Sequence, residues 1–543
     1  MSDTTTPGHQ PIAALLQQGL FHHRQGDVST AMERYAEVLS KDPTNADALY
    51  YVAVIACQQG QFKQGAELAR RALTLAAPSA RVHNLLGQAL DRLGEPLEAV
   101  KNFDAAIALD PKLAAAHGNR ANILVDAGMA VEALKSFDRA LELTPDSIPD
   151  LVNRGALLAT LGRPQDALRD YDRAIALEPN MPEGHVNRGN ILKDLGLMEL
   201  ALGAADSRHF DEAELSYARA IKITPKVHDA FLGRAMLRLA RGDFAGGFAD
   251  YEHRQHVGRP GFTPLDEPRW EGGPLAAGER LVLLAEQGLG DTIQFCRFAP
   301  LLAAQGFDVT LLVRKEMAPL MSALPDINIA SDADAIRKEG RPFRWAPLMS
   351  VPHLTGMTLG TLPGKTPYLK ADAARVAAWK EKLGTAPFKI GINWSPGHAD
   401  HTVTSRRDIP LTAFAELAAL PGVELIALQK GAAVDDIAAV AFRDKIRTIA
   451  ADTASDADFF LDTAAVMENL DLVIGCDTSV VHLAGALDRP VFTAVPAISE
   501  WRWLLKRDDT PWYPTMTVFR QNVPGDWRSA FAAIAEAVKA RLK

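Results

Sequence analysis

Two short segments combine glycine, carboxylate, hydroxyl and imidazole side chains at spacings that can do chemistry. In LAEQGLGDTIQF (284–295), Gly288 and Gly290 follow an apolar run and Asp291 opens the next helical stretch. The spacing predicts a tight strand-to-helix turn that presents a carboxylate. It is not a dinucleotide fingerprint, because Ile293 stands where the third glycine would be. In LDLVIGCDTSVVHLAGAL (470–487), an apolar run ends at Gly475, and Asp477, Thr478 and Ser479 lead into a helix that carries His482 one turn on. Helix N-terminal amides, two hydroxyls and an imidazole at a strand's carboxyl end form a phosphate-binding arrangement. Each segment also has a plain alternative. Asp291 can be a helix cap, and Thr478 and Ser479 can be caps with His482 packed in a core.

Both turns need a strand to aim them. The runs LVLLAEQ (281–287), VTLLVR (309–314), KIGINW (389–394), VELIALQ (423–429), LDLVIG (470–475) and PVFTAV (490–495) are short, apolar and separated by helical stretches. Continuous apolar runs are expected of buried parallel strands, and the alternation implies α/β doubly wound sheets. A division near residues 370–386 predicts two Rossmann-like lobes, 280–385 and 386–543, with a cleft between them. Other motifs lead nowhere. GTLPGKT (360–366) is one residue short of a P-loop. SDADAI (331–336) and SDADFF (455–460) carry acidic residues suited to a helix start, so no metal is expected.

The first half is organised differently. Gly26, Gly60, Gly94, Gly128 and Gly162 recur every 34 residues, and Gly196 continues the series. Ala31, Gly65, Ala99, Ala133 and Ala167 keep the same period, as do Phe103, Phe137 and Tyr171 and the prolines Pro111, Pro145 and Pro179. Glycine suits the turn inside a helix pair, a small residue allows close approach, and proline suits the turn between pairs. The pattern resembles the tetratricopeptide-repeat family over residues 12–256 in about seven units, with an enlarged turn at 197–208. The resemblance implies an all-α solenoid that binds polypeptide. Residues 257–279, rich in Pro and Gly, read as a linker.

Asn119, Asn153 and Asn187 share one repeat position, and Arg120, Arg154 and Arg188 follow them. An amide both donates and accepts, which suits an extended backbone of any sequence. Protein O-GlcNAc transferases carry an asparagine ladder at the similar position of their repeats, lining the surface that holds bound polypeptide. The resemblance implies acceptor binding here. The alternative is that these side chains only bridge helices.

The 543 residues are 48% hydrophobic with a net charge of −9, which argues against a nucleic-acid partner. The opening residues show no secretion signal and no stretch is long enough to span a bilayer. Three scattered cysteines fit a reducing compartment, so a cytoplasmic location is expected.

PRWEGG, EQGLGDTIQFCRFAP, GINWSPG, SRRDIPL, ALQKG, CDTSVVHLAGAL and EWRWLLKRDDTPWYP, spread over residues 268–527, together resemble the heptosyltransferase group of GT-B glycosyltransferases. They resemble more closely bacterial proteins that join tetratricopeptide repeats to such a domain. This resemblance implies a nucleotide-sugar-dependent glycosyltransferase, with no cofactor, that modifies Ser or Thr of a protein acceptor; flagellin is one candidate. It implies Asp291 as the catalytic base. Donor binding falls to Gly288, Gly290, Trp394, Arg407, Gln429, Lys430, Asp477, Thr478, Ser479 and His482. Arg407 and Lys430 would stabilise the departing diphosphate, and Trp501 and Trp503 would flank the cleft. The competing expectation is a non-catalytic binding scaffold with a degenerate transferase domain, since fold alone does not guarantee chemistry.

Overall fold

The computed structural model describes residues 11–258, 263–286, 288–385, 388–396, 406–449 and 460–543. Of the segments singled out above, Gln287, Gly397, Ser405 and residues 455–459 lie outside these. Residues 12–251 form seven helix pairs, from Ile12–Arg24 with Val28–Lys41 to His228–Ala240 with Phe244–Tyr251. The periodic glycines do turn the chain: Gly26, Gly60, Gly94, Gly128 and Gly162 have φ between 71° and 79°, a region in which a Cβ is disfavoured. Between the helices of a pair, glycine meets an aromatic ring. A Cβ on Gly87 would lie 2.6 Å from the Phe103 ring, and one on Gly155 3.0 Å from the Tyr171 ring.

The sixth pair departs from expectation. Gly196 does not turn the chain but lies inside a helix, Pro182–Ala201, that is 20 residues long where the preceding first helix has 13. Its missing Cβ makes room for Phe210, whose ring would otherwise be 2.5 Å away. Gly203, with φ 93°, takes the turn, and the next helix already begins at Arg208. The turn is enlarged, spanning 202–207 where the preceding pair has 161–163, but it begins later than expected because LMELA (197–201) continues the helix.

The chain divides into two compact units, Met1–Ile191 and Leu192–Lys543. The second contains two parallel sheets. The first sheet comprises β1 (Arg280–Leu284), β2 (Val309–Leu312), β3 (Asn328–Ala330) and β4 (Phe343–Pro347), in the order β3-β2-β1-β4. The second comprises β5 (Phe388–Asn393), β6 (Val423–Ala427), β7 (Ile446–Thr448), β8 (Leu472–Cys476), β9 (Val491–Val495) and β10 (Met516–Arg520), in the order β10-β9-β8-β5-β6-β7. All pairings are parallel. In β5, Ile390 and Ile392 pack on one face with Leu425, Leu472 and Phe531, while Ile426, Val473 and Val491 serve the opposite face. Burial on both faces is why these strands read as apolar runs rather than alternations. In each sheet the order reverses beside its first strand, at β1/β4 and at β5/β8, and the crevice at such a switch point is where open α/β sheets bind ligands.

The second unit also absorbs the last helix pair. Phe244 stacks on Trp512 with centroids 6.0 Å apart, and Phe248 meets Trp501 edge-on at 5.6 Å and Phe295 at 6.4 Å. Arg254 is buried and donates to Glu286, just beyond β1, at 2.6 Å, and to Ser350 at 3.0 Å. Residues 268–270, expected to be linker, instead lie along β4: Trp270 N–H donates to the Trp345 carbonyl at 2.8 Å and Trp345 N–H to the Pro268 carbonyl at 3.2 Å. The composition change near residue 260 marks a change of secondary structure, whereas the packing boundary lies earlier, between Ile191 and Leu192. Among the described residues no helix is long and apolar enough to cross a membrane.

Candidate functional site

The two turns singled out by residue type come together. The helix Leu289–Phe295 after β1 lies against the helix Ser479–Ala486 after β8. A Cβ on Gly290 would be 3.1 Å from His482 Cδ2 and 3.5 Å from Ser479 N. Gly288 and Gly290 were expected to permit a tight turn, yet Gly288 has an ordinary φ of −81°, and Gly290 serves the close approach of two helices. Asp291 does cap its own helix start: Gly288 N–H donates to its Oδ2 at 2.9 Å. Its Oδ1 accepts from Arg502. Arg502 also donates to Gln294 Oε1 at 2.8 Å and lies over Trp501. Arg502 was not selected from the sequence. The run EWRWLLKRDD contains three basic residues, and only the fold shows which of them is buried between the two sheets.

Behind Arg502 is a second carboxylate. Asp477 is buried, with His482 Nε2 3.5 Å from its Oδ1. Burial works to raise the Asp477 carboxyl, but the hydrogen bond and charge of His482, with the charge of Arg502, hold it below its ordinary value. His482 Nδ1 lies 3.0 Å from the Tyr513 hydroxyl, and its ring stacks on Trp503 at 5.6 Å. Both ring nitrogens are thus engaged and the residue is buried, so His482 is not offered to a phosphate as expected; it positions Asp477. Thr478 starts the helix without a side-chain bond to its first amides, because its hydroxyl donates to Asn393 Oδ1 at 2.8 Å. Asn393, the last residue of β5, is another member the sequence did not reveal, and its place opposite Thr478 is set by the β5–β8 pairing of Asn393 with Gly475. Ser479 remains half-buried at the helix start. The Arg407 Nη1 donates to the Asp477 carbonyl at 3.2 Å.

Two expected donor contacts, Trp394 and Gln429, take other roles. Trp394 is buried in the core of the second sheet, its Nε1 donating to Asp436 at 3.0 Å, so it is not placed to stack on a base or sugar. Gln429 Oε1 accepts from Asn393 Nδ2 at 2.7 Å, Trp394 N–H at 3.1 Å and Ser395 N–H at 2.9 Å, which makes it a clasp on the end of β5. Burial lowers the Lys430 ammonium, with Asp462 pulling the other way. Trp503 lies beneath His482, whereas Trp501 reaches a cavity of about 530 Å³ bordered by Arg407, Asp477 and Ser499. Asp332 of SDADAI caps a helix by accepting from Asp334 N–H at 2.9 Å. Among the described residues no group of three or more His, Cys, Asp or Glu is disposed to hold a metal ion.

In the first unit, the asparagines reach from repeat to repeat. Asn119 Nδ2 donates to Asn84 Oδ1 at 3.0 Å, and Asn153 Nδ2 to Asn122 Oδ1 at 2.9 Å. Each amide therefore keeps its carbonyl oxygen and one N–H for other partners. Asn119 and Asn122 line a concavity of about 460 Å³ with Gln58, Leu85 and Gln88. Asn187 is half-buried on its helix. The arginines are not offered in the same way. Arg120 donates to Asp104 and Ser136, Arg154 to Asp138 and both oxygens of Asp170, and Arg188 to Asp172. They brace adjacent helices instead of presenting charge to an acceptor. The signal was in the sequence: Asp104, Asp138 and Asp172 also recur every 34 residues. Arg154→Ala is accordingly expected to lower stability by about 1–3 kcal/mol and to leave polypeptide affinity unchanged. Urea denaturation and a binding titration on the same sample check this; weaker binding at unchanged stability would return Arg154 to the acceptor surface.

Tetratricopeptide-repeat family profiles match residues 22–89, and again 84–148, 152–207 and 198–253, so the N-terminal region is made of these repeats. The chain is also similar to Protein FlbA of Caulobacter vibrioides, 31% identical over 340 residues covering 56% of this chain and 54% of that protein. It therefore spans about half the length of that relative. Among solved structures, MamA is 21% identical, matching 31% of this chain and 92% of its own at a TM-score of 0.27. YrrB, a TPR protein with an unusual peptide-binding site, is 22% identical, matching 31% and 87% at a TM-score of 0.27.

Proposed function

We propose that this protein is a nucleotide-sugar-dependent glycosyltransferase of GT-B design whose repeats hold a protein acceptor. The observation that carries the reading is the meeting of Asp291 with the Asp477–Ser479 turn across two parallel sheets, at the carboxyl ends where such sheets take ligands. In the proposed reaction the oxygen of an acceptor Ser or Thr bonds to the anomeric carbon as the carbon–oxygen bond to the nucleoside diphosphate breaks. The hydroxyl proton passes to Asp291, and the diphosphate leaves with the bonding electrons. The hydrogen bond from Arg502 holds the Asp291 carboxylate in a fixed orientation. Positive charge at Arg407 and the amides that start the Ser479–Ala486 helix receive the departing diphosphate. No metal or cofactor enters this scheme. Flagellin is one candidate acceptor.

A second reading, a binding scaffold with an inactive transferase fold, gains some support from Asp291, because both its oxygens already accept hydrogen bonds. Incubating the purified protein with UDP-, ADP-, GDP- and CMP-linked sugars and a candidate acceptor, with mass spectrometry of the acceptor, separates the two. Absence of any sugar adduct, with polypeptide binding intact, would favour the scaffold. For the repeats, replacing Asn119, Asn153 and Asn187 together by Ala is expected to weaken acceptor binding by about 1 kcal/mol per lost hydrogen bond, at most about two orders of magnitude, with nucleotide affinity unchanged. Unaltered acceptor affinity in a titration would reduce the ladder to a link between repeats.

A further inference from the structure

The cavity of about 530 Å³ beside Asp477 is not enclosed by the α/β sheets alone. One wall is the carboxyl end of the second sheet, with Arg407, Asp477, Ser499 and Trp501. The opposite wall is helical repeat: Lys193 and Asp194 from the helix Pro182–Ala201, and Met236 and Leu237 from the helix His228–Ala240. Its volume is within the range of small-ligand pockets, about 300–1,000 Å³. Among the described residues its lining carries three basic and three acidic side chains. Several are already matched. Asp194 lies between Lys193, at 2.8 Å, and Arg406, at 3.5 Å, and Arg407 donates to the Asp477 carbonyl.

The basic side chains beside the second sheet, Arg406 and Arg407, suit the diphosphate side of the cavity, whereas the repeat wall adds one basic and one acidic side chain, Lys193 and Asp194, and so offers a nucleoside diphosphate no net positive charge. A neutral, extended stretch of polypeptide needs apolar surface and paired polar groups, and the repeat wall supplies both. We infer that the repeat wall of this cavity is the acceptor-side subsite, where Lys193, Asp194 and Met236 select the residues flanking the modified Ser or Thr. The inference rests on the glycosyltransferase reading for its direction, and it assigns specificity to residues of the repeats rather than to the sheets.

The test uses the full-length protein and two probes. One is a degenerate library of 12-residue synthetic peptides with a central Ser or Thr, followed by fluorescence anisotropy. The other is UDP, ADP, GDP and CMP, followed by calorimetry. Met236→Trp, which fills the cavity from a half-exposed position, is expected to weaken peptide binding at least tenfold and to leave nucleotide affinity within about twofold. Lys193→Glu, at a position outside the core, is expected to deplete peptides with an acidic residue beside the Ser or Thr at least fivefold. It keeps the test open should Met236→Trp melt early. Peptide binding unchanged in both variants overturns the inference. So does a tenfold loss of nucleotide affinity in Met236→Trp, which would give the cavity to the donor. A wild-type protein that binds peptides here but no nucleotide, and transfers no sugar, would instead sink the glycosyltransferase reading and leave the subsite standing.

Discussion

Asp291→Asn is expected to lower glycosyl transfer by roughly 10²- to 10⁴-fold, the usual effect of removing a general base, with nucleotide affinity retained. The amide keeps one oxygen, enough for either Arg502 or the Gly288 N–H but not both, and it cannot take the acceptor proton. The substitution also leaves Arg502 buried without a carboxylate at Oδ1, so a fall in stability must be measured beside the rate. A transfer assay well below the melting temperature, paired with calorimetry on the cognate nucleotide, separates the two effects. Transfer close to wild type would remove Asp291 from catalysis and strengthen the scaffold reading. His482→Ala is a poorer probe of donor binding than its position in the sequence implies. Its ring carries Asp477, Tyr513 and Trp503, and its loss would disturb all three before any phosphate contact is tested.

The second large effect concerns where the chain can be cut. The composition change near residue 260 predicts that residues 1–260 fold alone as an all-helical unit, and the helical repeats themselves end by residue 256. The structure predicts otherwise for their last pair. Cutting there uncovers Phe244, Phe248 and Tyr251, which pack on Trp501, Trp512 and Phe295. At about 1.5–3 kcal/mol per buried aromatic side chain, and about 3–5 kcal/mol for breaking a buried ion pair such as Arg254–Glu286, the loss is on the order of 10 kcal/mol. That equals the whole stability of a typical domain. Fragment 257–543 is expected to aggregate when expressed alone. Fragment 1–256 is expected to melt with its final pair already unfolded, visible as missing helix in circular dichroism and as rapid proteolysis beyond about residue 225. A soluble, cooperatively melting 257–543 fragment would refute this.

Periodicity and residue type determined a good deal without any coordinates. Five glycines 34 residues apart, Gly26 to Gly162, marked left-handed turns at one repeated place, because the constraint on φ is local; the sixth, Gly196, lies inside a helix. Runs such as VTLLV and LVIGC announce strands buried on both faces, because no polar alternation interrupts them. The short strands β3, β7 and β10 and the edge strand β4 were not legible. Three to five residues with mixed burial carry too little pattern to be told from loop.

What only the tertiary structure decided is which polar side chains are spent. The sequence places Asp291, Asp477 and His482 beside helix starts, but Arg502, more than 200 residues from Asp291, is needed to show that Asp291 is held in an ion pair. Gln429 and Trp394 look available in the sequence and are consumed in closing the end of β5. The arginine ladder likewise reads as open charge until its 34-residue aspartate partners are set beside it. The physical reason is common to all of these. A turn or a helix is a matter of nearby backbone geometry, whereas a side chain's chemistry is set by whatever hydrogen-bonding partner reaches it in a low-dielectric interior, and that partner can come from anywhere along the chain.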